Sequence, residues 1–182
     1  DALPIFMTLN ATQFMKAAAV LCASLVCSQA TIARDYANWM AELPDNLYVT
    51  QVSIPGTHDT ATASVTGATA VNSQCQTATI QQQLEAGVRV LDLRPGRALI
   101  SSTIYCYHGT TPTSVKFEDA LTTIKNFLDA HPTEFIIIHI DGANNSDKIS
   151  NDNYTTMFKN VGITSYLRDF KRSLTVGEMR KG

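Results

Sequence analysis

Charge is scarce in this 182-residue chain and long apolar runs are scarcer. The 14 Lys and Arg nearly balance the 16 Asp and Glu, leaving a net charge of −2, and no basic stripe follows any predicted helix. A nucleic-acid partner is therefore excluded, because it would need a basic footprint. The one extended apolar run, Ala17 to Cys27, falls short of the roughly 20 residues that span a bilayer. Cysteine is limited to Cys22, Cys27, Cys75 and Cys106, whose spacing matches no metal-binding pattern.

The short apolar run has a definite context instead. Lys16 precedes it and Ser28–Gln29–Ala30 follows, a small-x-small ending that suits signal peptidase. Residues 1–30 therefore read as an upstream remnant and a secretory signal peptide, with translation starting at Met15 or Met7. A buried N-terminal helix is the competing reading, and the flanks favour export. The bulky pairs Val20–Leu21 and Leu25–Val26 argue against lipid attachment at the cysteine after each. Signal removal leaves Cys75 and Cys106, either as one disulfide or as two free thiols.

What is present in abundance is one local pattern, a β-rich run that ends on ionisable residues. Leu47 to Ile54 alternates apolar and polar residues and predicts a strand, and Pro55–Gly56 turns the chain to present His58 and Asp59. Val88 to Leu93 carries Asp92 and Arg94 at its end, before a second Pro-Gly break at Pro95–Gly96. Ile104 to Tyr107 ends in His108–Gly109, and Phe135 to Ile140 ends in Asp141–Gly142. Four such strands, lying parallel in one sheet, would gather these groups at one mouth, the end where α/β proteins collect their chemistry.

Helical periodicity fills the intervals. Tyr36, Trp39, Met40 and Leu43 form an i, i+3, i+4, i+7 stripe that predicts a helix capping the core; the alternative use of Trp39 and Met40 is to seat the protein on a membrane. Ala61 to Cys75 has no period and predicts a long loop over the mouth. Thr77 to Glu85 predicts a helix ended by Gly87. Ser114 is a plausible N-cap for a helix from Val115 to Ala130, and His131 at that helix's end is a structural rather than a catalytic candidate. A further helical patch covers Tyr154 to Tyr166.

The order βαβα predicts an α/β fold of the TIM-like (β/α) barrel kind. Such barrels run to about 250 residues, so 31–182 is expected to be only the N-terminal half to two-thirds of one.

In chain order, Trp39–Met40, Pro44–Asp45, Ser53–Ile54–Pro55–Gly56–Thr57–His58–Asp59, Asp92–Leu93–Arg94 and Tyr107–His108–Gly109 resemble the X domain of bacterial phosphatidylinositol-specific phospholipase C. Phe117, His131–Pro132–Thr133–Glu134 and Leu174 to Met179 add weaker likeness. The resemblance implies that His58 is a general base beside Asp59, that His108 is the general acid, and that Arg94, flanked by Asp92, stabilises the transition-state phosphate. It implies a phosphoric diester lyase that meets its phospholipid at a membrane surface; the signal segment predicts secretion, and a monomer is expected. A carboxylate assisting the base is expected from sequence beyond Gly182. No metal cofactor is expected: Arg94 stands where calcium-dependent relatives place a ligand, and its charge disfavours calcium. Asp141 departs from the pattern, as either a substrate-binding group or a carboxylate capping the Gly142 turn. The alternatives are a metal-dependent glycerophosphodiester phosphodiesterase and a non-catalytic lipid-headgroup-binding module.

Overall fold

The computed structural model describes residues 34–98, 100–143, 149–169 and 171–180. The expected signal segment lies outside them. Among the described residues, no helix is long and apolar enough to cross a membrane.

The Tyr36–Glu42 segment is a tight 3-10 helix, kinked at Asn38 and capped by Asp35, whose carboxylate accepts from the Ala37 amide at 3.1 Å. Met40 is wholly buried there and packs with Val49, Phe135 and Val176. Trp39, Met40 and Leu43 of the stripe thus join the core while Tyr36 is exposed, and the Trp39 indole donates to the Gly87 carbonyl at 2.9 Å.

The strand expected at Leu47 to Ile54 does not form. Gln51 accepts from the Tyr48 amide at 3.1 Å and closes a 3-10 turn at Val49–Gln51, which breaks the alternation. The flanking backbone pairs instead with residues far down the chain, the Val49 amide donating to Leu174 and the Val176 amide to Leu47. The first strand comes later, as β1 (Gly56–Thr57), beyond the proline rather than before it. Gly56 is required by a close approach: a Cβ there would lie 2.9 Å from that of Val90.

After one helical turn, α1 (Ala70–Ser73), comes α2 (Ile80–Glu85), started by a capping box in which Thr79 and Gln82 serve each other's amides. Then follow β2 (Val90–Leu93), β3 (Pro95–Arg97), β4 (Ile104–His108) and β5 (Thr111–Lys116). Helix α3 (Phe117–Ala130) leads to β6 (Ile137–Ile140), α4 (Asn151–Val161) and α5 (Val176–Arg180).

Two sheets result rather than one. Strands β1, β2 and β6 are parallel in that order, with Asp92 beside His139 in register. Strands β3, β4 and β5 form an antiparallel meander. The strand that delivers His108 therefore does not run parallel with the others. The break expected at Pro95–Gly96 does end β2, but proline is tolerated at the first position of a strand, so Pro95 opens β3 and marks a change of sheet rather than the end of β structure.

The helix start at Ser114 is likewise corrected. Thr111 to Lys116 alternates partly buried and exposed positions, with Thr113 buried, as a half-covered strand must. Helix α3 begins only at Phe117, where Glu118 and Asp119 in the first turn complement its dipole. Its buried face, Phe117, Ala120, Leu121, Ile124 and Phe127, meets Leu84, Leu91 and Leu93 in the main core. His131 caps the helix end, stacks on Phe127 and contacts Asn38 at 2.8 Å, a structural role as expected.

One ionic feature is enclosed by these layers. Arg89 and Glu134 meet at 2.8 Å with both side chains fully buried. Arg89 also donates to the Leu84, Val88 and Ala37 carbonyls, and its guanidinium lies 4.6 Å from the Phe127 ring centre.

Candidate active site

The site forms at the C-terminal ends of β1 and β2. Just past β1 the chain makes a sharp turn, and Asp59 takes a left-handed conformation with φ of +47°. A non-glycine residue held so stores about 1–3 kcal/mol and needs over-determined surroundings. They are present. The Thr60 amide donates to the Asp92 carbonyl at 3.0 Å, the Asp59 amide to Asp92 Oδ2 at 3.1 Å, and the Thr62 hydroxyl to the Asp59 carbonyl at 2.8 Å.

Gln83 of α2 clamps the same turn from beneath. It accepts from the Thr57 hydroxyl at 2.7 Å and donates to the Thr60 carbonyl at 2.9 Å. The expected loop from Ala61 to Cys75 is more structured than its composition predicts: the amides of Cys75 and Gln76 both donate to the Thr62 hydroxyl at 3.0 Å, and Gln76 donates to the His58 carbonyl.

Five of the six expected site residues come together here. Asp59 is 2% exposed, and its Oδ2 lies 3.0 Å from His58 Nε2 and 3.4 Å from His108 Nε2. Arg94 Nε stands 2.9 Å from Asp59 Oδ1, out of line for a hydrogen bond, so that contact is ionic. Asp92 Oδ2 meets His58 Nδ1 at 3.0 Å and Arg94 Nη2 at 3.1 Å. His58 remains largely exposed, its ring gripped from two sides by carboxylates but open to solvent between them. Asp141, the sixth, is exposed beyond β6 and outside these contacts; its charge helps raise the Arg94 pKa, after the larger influence of the Asp92 hydrogen bond.

Desolvation pushes the Asp92 carboxyl up, yet hydrogen bonds from Arg94, the Asp59 amide and His139, with the Arg94 charge, overcome it and hold the group at about 2. The unfolded value is higher, so Asp92 adds stability that is complete above about pH 4 and is lost as pH falls through about 2. A depression of this size corresponds to roughly 2 kcal/mol. Asp92→Asn should remove that much of the acid-side loss in urea titrations at pH 5 and pH 2; equal losses in both proteins would refute the coupling.

Three residues of the site escaped the sequence. His139 lies beside Asp92 in register, its Nδ1 3.3 Å from Asp92 Oδ1. Gln83 falls on the Ile80–Leu84 face of α2, and a polar residue on a buried stripe was its available signal. Cys75 places Sγ 3.7 Å from Asp59 Oδ2; burial first, then the Asp59 charge, raise its thiol pKa. Both described cysteines are free, Cys106 buried and pushed up to about 12 by desolvation.

The arrangement can do acid–base work on an anion: two imidazoles and one guanidinium share a pair of carboxylates around an open mouth. Comparison with known proteins places the chain in a family. Residues 52–174 match the family described as phosphatidylinositol-specific phospholipase C, X domain. A 1-phosphatidylinositol phosphodiesterase of Listeria monocytogenes is 37% identical over 112 residues, covering 60% of this chain and 34% of that protein. A PI-PLC X domain-containing protein 1 of Mus musculus is 35% identical over 133 residues, covering 57% and 39%. The solved phosphatidylinositol-specific phospholipase C of Listeria monocytogenes superposes with a TM-score of 0.62 at 28% identity, covering 81% of this chain and 55% of that one. The chain thus spans about a third to two-fifths of the curated relatives' length, and its fold is the α/β, TIM-like barrel class of the solved neighbours. The turn bearing His58, the strand end bearing Arg94 and the hairpin bearing His108 all fall within the matched residues, and the chain belongs to the phosphatidylinositol-specific phospholipase C X-domain family.

Proposed function

We propose that the protein is a phosphoric diester lyase that cleaves phosphatidylinositol, or an inositol-containing lipid anchor, to diacylglycerol and cyclic inositol phosphate. The observation that carries this reading is the placement of His58 and His108 within 3.4 Å of one buried Asp59 oxygen, with Arg94 alongside.

In this mechanism the inositol 2-hydroxyl takes the place of the Asp59 oxygen at His58 Nε2, while Asp92 keeps Nδ1 and orients the ring. His58 accepts the hydroxyl proton as the oxygen attacks phosphorus. The bond from phosphorus to the glycerol oxygen breaks, and His108 gives that oxygen a proton. Arg94 meets the charge that grows on the non-bridging oxygens, where a fixed guanidinium is most effective. The nucleophile belongs to the substrate, so a cyclic phosphate is the first product. Asp141 contributes to headgroup binding from the rim of the mouth. Export from the cytoplasm and action as a monomer at a membrane surface complete the proposal.

The reading needs no metal cofactor, since Arg94 supplies the positive charge. Its test is phosphatidylinositol cleavage by the full-length gene product with and without EDTA. Release of cyclic inositol phosphate should be unchanged by chelation. Loss of activity in EDTA would overturn the role of Arg94 and favour the metal-dependent phosphodiesterase. Absence of cleavage under all conditions would favour the headgroup-binding module.

A further inference from the structure

We infer that His58, Asp59 and Cys75 form an inhibitory site for a soft divalent cation of the zinc type. Their donor atoms, an imidazole nitrogen, a carboxylate oxygen and the thiol sulfur, all lie within 4.8 Å of one another. Two of the three separations are already close to what a metal would impose. Zinc bonds of about 2.0–2.3 Å in a tetrahedron set neighbouring ligand atoms about 3.3–3.8 Å apart. Here His58 Nε2 is 3.0 Å and Cys75 Sγ 3.7 Å from the same Asp59 Oδ2. His58 and Cys75 are exposed, so small rotations complete the triangle without moving the core.

A second observation points the same way. Asp59 is 98% removed from solvent, and while Arg94 engages its Oδ1, its Oδ2 faces the imidazole and the thiol together, so burial fixes one carboxylate oxygen between the other two donors. Three protein ligands and one open position also match the coordination of zinc sites that exchange a fourth ligand.

Arg94 decides which cations can enter. Its guanidinium, 2.9 Å from Asp59, opposes ions that bind by charge to oxygen alone, so calcium and magnesium are rejected. A soft ion gains enough from sulfur and nitrogen to tolerate that neighbour. On binding, the Cys75 thiol releases its proton to solvent, the thiolate and the His58 lone pair bond the metal, and nothing is oxidised or reduced. The imidazole is then no longer free to accept a substrate proton. The same face of His58 thus serves either the hydroxyl or the metal, an inference whose inhibitory consequence rests on the proposed lyase reaction.

The site itself is tested independently of that reaction. Cobalt(II) added to the metal-free full-length gene product should give a thiolate-to-cobalt charge-transfer band in the near ultraviolet, removed by zinc but not by calcium or magnesium. Cys75→Ser, with the other three cysteines kept and folding checked by circular dichroism, should abolish the band. A band that persists in this variant, or its absence from the parent protein, overturns the site. In the activity arm, zinc should suppress phosphatidylinositol cleavage, EDTA should restore it, and Cys75→Ser should raise the half-inhibiting zinc concentration by at least about tenfold, the least expected even for losing an outer partner of a metal. Zinc inhibition that is the same in both proteins refutes the inhibitory role even where cobalt binds. A protein that binds cobalt through Cys75 yet cleaves nothing refutes the lyase reading and leaves the metal site standing.

Discussion

Alanine at His58 or at His108 is expected to lower kcat for phosphatidylinositol cleavage by about 10²–10⁴-fold each, the range for removing a positioned acid or base. The two losses should not multiply. Both imidazoles lean on the same Asp59 oxygen, and removing either disturbs one shared arrangement, so the double variant should fall little below the worse single. Stability should hardly move, because His58 is exposed and His108 is partly so. Single-turnover assays on folded protein check this, and activity within tenfold of the parent in either variant would remove that histidine from the chemistry.

The second large effect is on the fold. Glu134→Ala should destabilise the protein by about 3–5 kcal/mol, because it leaves the Arg89 charge buried without its counter-ion. Screening gives no relief, since neither side chain reaches solvent. The carboxylate also accepts from the Met40 amide at 3.1 Å, so the 3-10 segment over the core loses its tether as well. A double change to leucines removes the orphaned charge and should recover part of the loss; the recovery is incomplete because the carbonyls of Leu84, Val88 and Ala37 lose their donor. Urea unfolding at neutral pH measures both, and a cost below about 1 kcal/mol for the single variant would mean that the cavity admits water.

The membership of the site could be read from the chain because it is written locally. His58 and Asp59 adjoin in sequence, Asp92 and Arg94 are two apart on one strand, and His108 ends its own run. What was not legible depends on partners distant in sequence. The alternation at Leu47 to Ile54 is a true strand pattern, but its backbone is claimed by Leu174 and Val176, more than a hundred residues away. His139 looked like one polar interruption of an apolar strand until the parallel register set it beside Asp92. The Pro-Gly pair at 95–96 has the same letters as that at 55–56 and a different outcome, since one opens an antiparallel strand and the other leads into β1. The grouping of His58, Asp59, Asp92, Arg94 and His108 is insensitive to these differences, because a strand end can be shifted by a residue or two without changing which side chains follow it.

The left-handed backbone at Asp59 sets how much substitution this position tolerates. Most side chains there would have to relax the turn, and His58 would move with it. Asn adopts that conformation more readily than most residues and nearly matches the shape of Asp. Position 59 therefore carries two separate requirements, a handedness and a charge: Gly meets the first alone, Glu the second alone, and Asn keeps handedness and outline while deleting the charge. In a saturation library, the ranking of Asn, Gly and Glu at this one codon would show whether selection acts on the path of the chain or on the field it projects.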